Sequence, residues 1–126
     1  MTKEKIATNN APEAVGPYSQ AIANSNLIFA SGQVPINPQT GKIDSDNITE
    51  QAHQALTNLK NVIEAGGSSF DNVVKTTVLL TDLGDFAEVN SIYAEYFNEP
   101  YPARACFQVA ALPLGAKIEI EAIATK

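Results

Sequence analysis

The stretch Ile118-Glu119-Ile120-Glu121-Ala122-Ile123-Ala124 alternates with a period of two, and only an extended strand turns that period into two distinct faces. Ile118, Ile120, Ala122 and Ala124 share one side, whereas Glu119, Glu121 and Ile123 share the other. A strand with this pattern belongs to a sheet whose apolar face must be covered.

Two amphipathic helices are available as the cover. The first is expected to start at Asn47, whose side chain accepts orphan amide hydrogen bonds while Glu50 reaches back from the first turn. Ala52, Leu56, Leu59 and Ile63 then recur at helical spacing, and Gly66-Gly67 supplies a left-handed stop. Asp85 with Glu88 repeats the capping pattern for a second helix with a stripe of Phe86, Val89, Tyr93 and Tyr96 or Phe97, ended by Pro100 and Pro102.

The remaining segments read as strands. Residues 18–23 and 27–34 form a hairpin around Asn24-Ser25-Asn26, Val73 to Thr81 is rich in β-branched residues, and residues 104–110 precede a final strand over 116–125. The order β-β-α-β-α-β-β predicts an α+β fold, a mixed sheet with two helices packed on one face. With 126 residues and no internal repeat, a single domain over 1–126 is expected.

Charge and composition narrow the function. A net charge of −6 and eight scattered Lys and Arg residues oppose nucleic acid as a partner. One cysteine, Cys106, and one histidine, His53, argue against a disulfide framework and against a metal site. The N-terminal residues lack the apolar run of a signal peptide, and no stretch approaches the ~20 apolar residues of a membrane span, so a cytoplasmic protein without membrane contact is expected.

Alternation on the strand from residue 104 suggests that Ala105, Phe107 and Val109 meet the helices while Arg104, Cys106 and Gln108 point away. Ser31 and Gln33 would join Phe29 and Leu27 on that same outer face. A face mixing Phe, Leu, Cys, Arg and Glu suits an interface that contains a site, and predicts a symmetric homo-oligomer. Arg104, stiffly approached through Pro100 and Pro102, is expected to grip the carboxylate of a small organic acid. Taken singly, each residue also has an ordinary reading: Arg104 as a surface cation, Glu119 as a solvated strand residue, Cys106 as a small core hydrophobe, Tyr18 as a core aromatic, Ser31 as a plain strand serine, and His53 as an exposed helix histidine.

The strings Gly16-Pro17-Tyr18-Ser19-Gln20-Ala21, Ala30-Ser31-Gly32-Gln33-Val34-Pro35, Val74-Lys75-Thr76-Thr77-Val78, Pro102-Ala103-Arg104-Ala105-Cys106 and Ile118-Glu119-Ile120-Glu121-Ala122-Ile123-Ala124 together resemble the reactive intermediate deaminase A family, also called YjgF/YER057c/UK114. The likeness runs from about Ile6 to Ala124. It implies a chorismate-mutase-like α+β fold, a homotrimer with sites between subunits, and hydrolysis of 2-iminobutanoate and 2-iminopropanoate to 2-keto acids and ammonia. No metal or organic cofactor is implied.

Residue by residue, the resemblance implies that Arg104 binds the substrate carboxylate, that Cys106 lies beside the ligand, and that Glu119 orients the attacking water. Tyr18, Ser31, Gly32 and Asn90 would line the pocket. Tyr101 stands where phenylalanine is frequent in the family, at the rim. Covalent catalysis by Cys106 is disfavoured, because His53 sits on a helix expected to cover the other face. Two further functions compete: a non-catalytic sensor of small carboxylates, which would need Arg104 but not Glu119, and a ribonuclease or translation inhibitor, which the negative charge and single histidine oppose.

Overall fold

In the computed structural model, which describes residues 2–126, six strands form the sheet: β1 (Glu4–Ile6), β2 (Ala21–Asn24), β3 (Leu27–Gln33), β4 (Val73–Leu80), β5 (Ala103–Gln108) and β6 (Ile118–Thr125). Their spatial order is β1-β2-β3-β6-β4-β5, with β5 parallel to β4 and every other pairing antiparallel. The helices are α1 (Ile48–Ala65) and α2 (Phe86–Tyr96). This is the expected α+β arrangement with one additional strand, since the three residues of β1 are too few to register as a pattern.

β6 lies inside the sheet, and its alternation is resolved as expected: Ile118, Ile120, Ala122 and Ala124 are buried on the helix side. Helix α1 supplies Ala52, Leu56, Leu59 and Ile63 to the same core, all essentially inaccessible. Truncating Leu59 to alanine would cost about 2–5 kcal/mol, from lost transfer free energy and an unfilled cavity. Phe97 stacks on Phe70 at 4.4 Å and tilts against Tyr93 at 4.5 Å, which seats the end of α2 in the core.

The caps differ in detail from the sequence reading. Asn47 accepts from the amides of Thr49 and Glu50, as expected, but its own amide donates to Ser45 Oγ instead of to Glu50. At α2 the capping side chain is Asp82, which accepts from Gly84 N at the head of a 3₁₀ turn, Leu83–Asp85, that leads into the helix. Helix α1 stops as foreseen, with Gly67 at φ +85° and the Ser68 amide donating to the Ile63 carbonyl.

Buried amides organise the loops around the sheet. Asn58 donates to the carbonyls of Val34 and Ile36, tying the turn after β3 to α1. Gln20 accepts from Thr8 N and donates to Pro12 O at 2.7 Å, which folds residues 8–12 against the start of β2. His53 is half-buried instead of exposed: its Nδ1 lies 2.7 Å from Tyr96 Oη, linking α1 to α2.

Candidate functional site

Two strand faces differ from the sequence reading. Arg104 pairs in register with Thr76, and Cys106 with Val78; both partners are buried on the helix side of β4. Arg104, Cys106 and Gln108 therefore face the helices, and Ala105 and Phe107 face away, the reverse of the expected assignment. The reason is that β5 is an edge strand whose facing is set by its ladder with β4, and the far side of the sheet is itself apolar enough to accept Phe107. On β3, a register shift between Ala30 and Gln33 lets Gln33 pair with Ile120 and turn inward, away from Phe29.

The consequence is a division of the expected site residues into two groups. Arg104 lies over α2: its Nη1 donates to Asn90 Oδ1 at 2.8 Å, and its Cζ lies 4.9 Å from the Tyr93 ring centroid and 5.5 Å from that of Phe86. Asn90, Tyr93, Tyr101 and Arg104 line an open recess of about 510 Å³. Among the described residues no carboxylate pairs with this arginine, so its remaining N–H donors are available to an anion. Phe86 and Tyr93 carry no site signal in the hydrophobic periodicity, where they read as helix stripe. The relevant signal is their spacing around Asn90, four residues before and three after, which sets all three on one helix face.

Glu119 lies on the other side of the sheet, in a row with Leu79 and Phe107. It sits against Gly32, where a Cβ would overlap its carboxylate. Burial, and after it the nearby charge of Glu121, holds the Glu119 carboxyl above the usual glutamate range. Such a group is better matched to accepting a proton near neutral pH than an ordinary glutamate. Tyr18 and Gly32 share a cavity of about 470 Å³ that also takes in Val15, Ile36 and Leu114. Ser31 donates its hydroxyl hydrogen to the Ser19 carbonyl at 2.6 Å, so its visible work is to hold the segment carrying Tyr18. A wider groove of about 670 Å³ runs along residues 5–20 and holds neither Arg104 nor Glu119.

Cys106 packs against the core, and its thiol is pushed up by burial more than the Arg104 charge lowers it. That disfavours its thiolate form. Among the described residues, no group of three or more His, Cys, Asp and Glu side chains is placed to hold a metal ion, and no helix is long and apolar enough to cross a membrane.

Comparisons with known proteins agree with the fold. A family model described as endoribonuclease L-PSP matches residues 8–126. A curated Arabidopsis thaliana relative, reactive intermediate deaminase A, chloroplastic, is 54% identical over 125 residues, covering 99% of this chain and 67% of its own. The Homo sapiens 2-iminobutanoate/2-iminopropanoate deaminase is 50% identical over 124 residues, covering 98% of this chain and 90% of the human protein. The crystal structure of E. coli TdcF with bound serine superposes with a TM-score of 0.92 at 44% identity, covering 98% of each chain.

Proposed function

The chain belongs to the endoribonuclease L-PSP family, and on that premise we propose that it is a cofactor-independent hydrolase, a 2-imino acid deaminase that converts 2-iminobutanoate and 2-iminopropanoate to the 2-keto acids and ammonia. The observation that carries this reading is the unneutralised Arg104 guanidinium, seated on aromatic rings and steadied by Asn90 at an open recess. A planar fork of this kind suits an α-carboxylate, which serine in the TdcF crystal structure also bears.

Arg104 and Glu119 occupy opposite faces of one chain's sheet, so we place each active site between copies, with Arg104 of one copy approached by Glu119 of a neighbour. The outer face supports this: Phe29 and Phe107 are 43% and 50% exposed there, alongside half-buried Leu79 and Ile123. The assembly we propose is a cytoplasmic homotrimer with three such clefts. Tyr18, Ser31 and Gly32 would line each cleft beside Glu119, with Cys106 and Asn90 beside Arg104.

In this cleft Arg104 anchors the carboxylate and orients the C=N bond. Glu119 accepts a proton from a water molecule as the water oxygen bonds to C2 and the C=N π bond breaks, and it passes that proton to the imine nitrogen, giving a carbinolamine and regenerating the carboxylate. Proton transfer from the new hydroxyl to the amino group, relayed by Glu119, breaks the C–N bond and releases ammonia and the keto acid. The substrate is already electrophilic, so positioning and one carboxylate meet the demand.

The test couples a serine dehydratase, which releases 2-aminoacrylate, to measurement of pyruvate release with the wild type, Arg104→Ala and Glu119→Gln. Acceleration by the wild type that both variants lose is expected. Absence of any acceleration by the wild type overturns the reading, and acceleration that survives in Glu119→Gln removes the role assigned to Glu119. A protein that only binds carboxylates would retain ligand affinity in Glu119→Gln and accelerate nothing.

A further inference from the structure

The side chains behind Arg104 form a closed arrangement that periodicity alone does not reveal. Thr76 on β4 and Arg104 on β5 are direct cross-strand neighbours pointing to the same side of the sheet. Tyr93 of α2 bridges them: its hydroxyl lies 2.7 Å from Thr76 Oγ1, while its ring lies beneath the guanidinium, 4.9 Å from Cζ. Thr76 is fully buried and Tyr93 is 5% exposed, so the contact between them is shielded from water. Phe97 also packs against the Tyr93 ring, with centroids 4.5 Å apart.

We propose that Tyr93 is a positioning residue for the substrate carboxylate: its ring, locked in place through the Thr76 hydroxyl, holds the Arg104 guanidinium in the orientation that presents its free N–H groups to the recess. This rests on the carboxylate-binding role assigned to Arg104. A guanidinium on a flexible stem otherwise gives up rotamer freedom each time it binds an anion, and fixing it beforehand lowers that cost. The aromatic face attracts the cation, modestly because the guanidinium itself is exposed. Asn90 holds Nη1 of the fork, and the Tyr93 ring lies against the guanidinium carbon. Burial keeps the Tyr93 hydroxyl neutral, and its engagement with Thr76 suits an anchor and not a proton donor to substrate.

Three variants separate positioning from simple core packing: Tyr93→Leu removes the ring, Tyr93→Phe keeps the ring without its anchor, and Thr76→Val removes the anchor's partner at nearly equal volume. Three readouts apply to each, namely imine hydrolysis, affinity for 2-oxobutanoate as a stable carboxylate probe, and the Arg104 side-chain Nε–Hε resonance, which the Tyr93 ring current should displace. Tyr93→Leu is expected to raise KM and weaken 2-oxobutanoate binding about tenfold with a smaller change in kcat, and to move the Arg104 resonance towards that of a free arginine. Tyr93→Phe keeps the ring but frees it, and should bind 2-oxobutanoate about threefold more weakly than wild type, with the Arg104 resonance partly displaced. Thr76→Val should match Tyr93→Phe, and the double variant Thr76→Val/Tyr93→Phe should be no weaker in binding than either single one.

Folded variants with wild-type probe affinity and an unmoved Arg104 resonance overturn the proposal, as does a Thr76→Val protein that loses thermal stability and nothing else. If Tyr93→Leu does not fold, Tyr93→Phe and Thr76→Val decide the matter by the same readouts. If the wild type binds 2-oxobutanoate through Arg104 yet hydrolyses no imine, the deaminase reading fails, while the probe affinity and the resonance still decide the role of Tyr93.

Discussion

Gly32 on β3 and Glu119 on the neighbouring strand β6 approach so closely that a methyl group on Gly32 would overlap the Glu119 carboxylate. The group in the way is the end of a flexible side chain, so Gly32→Ala should displace the carboxylate without unfolding the sheet. Displacing a reacting group by about 1 Å can cost about 100-fold in rate, and a loss of that order in pyruvate release is expected. Circular dichroism and the melting temperature should stay close to wild type. A fully active Gly32→Ala would show that the carboxylate position near Gly32 is not the reactive one.

Arg104→Lys tests the fork. Lysine keeps the charge but offers a single ammonium where the guanidinium offers a planar pair of donors, and it lacks the flat surface that lies on Tyr93. A rise in KM of about tenfold or more is expected, with kcat reduced less, measured across a concentration series of the imine. Titration with 2-oxobutanoate should weaken in parallel.

How much of this was legible in the sequence depends on whether a pattern has one solution or two. The β6 alternation had one, because Glu119 and Glu121 cannot face the helices while Ile118 and Ile120 can. The α1 stripe was equally clear. On β5 the pattern of Arg104, Cys106 and Gln108 against Ala105 and Phe107 correctly grouped the residues but not their facing, because both sides of this sheet carry apolar groups and hydrophobicity could not choose between them. The choice came from the ladder with Thr76 and Val78, which is a tertiary fact. Gln33 was misplaced for a related reason: an irregular register between Ala30 and Gln33 shifts the alternation by one, and its only local trace was Gly32 inside a strand. The Asn90–Arg104 hydrogen bond spans 14 residues and a crossover from helix to strand, so periodicity could not announce it.

The assembly is testable without substrate. Multi-angle light scattering should give three times the 13.4 kDa chain mass, about 40 kDa. A glutamate in place of Phe107 puts a charge on the face carrying Phe29, Leu79 and Glu119, where burial against another copy would leave it unpaired. Phe107→Glu should therefore shift the mass towards that of a single chain and abolish turnover, while leaving the far-UV spectrum of the sheet and helices in place. A monodisperse wild-type protein of 13.4 kDa would remove the shared-cleft arrangement.

The raised Glu119 proton affinity makes stability and activity respond to pH in opposite senses. Because the folded-state value lies above that of the unfolded chain, the stabilising contribution belongs to the protonated form. It is fully present below the unfolded value and is lost as pH rises through the folded one. Glu119→Gln escapes that loss, so it should melt at a higher temperature than wild type near neutral pH, with the difference shrinking on acidification. On the proposed mechanism catalysis needs the ionised form; burial and Glu121 push the acid limb of kcat/KM to higher pH than an ordinary glutamate would set, and Arg104 of the neighbouring copy opposes them. Glu121 contributes to the shift by like-charge repulsion, so Glu121→Gln should move that limb to lower pH, while Glu119→Gln should remove about 100-fold or more of the rate. The check is a pair of pH series, one of melting temperature and one of kcat/KM, on the three proteins. An acid limb that stays in place in Glu121→Gln would mean that a group other than Glu119 sets it.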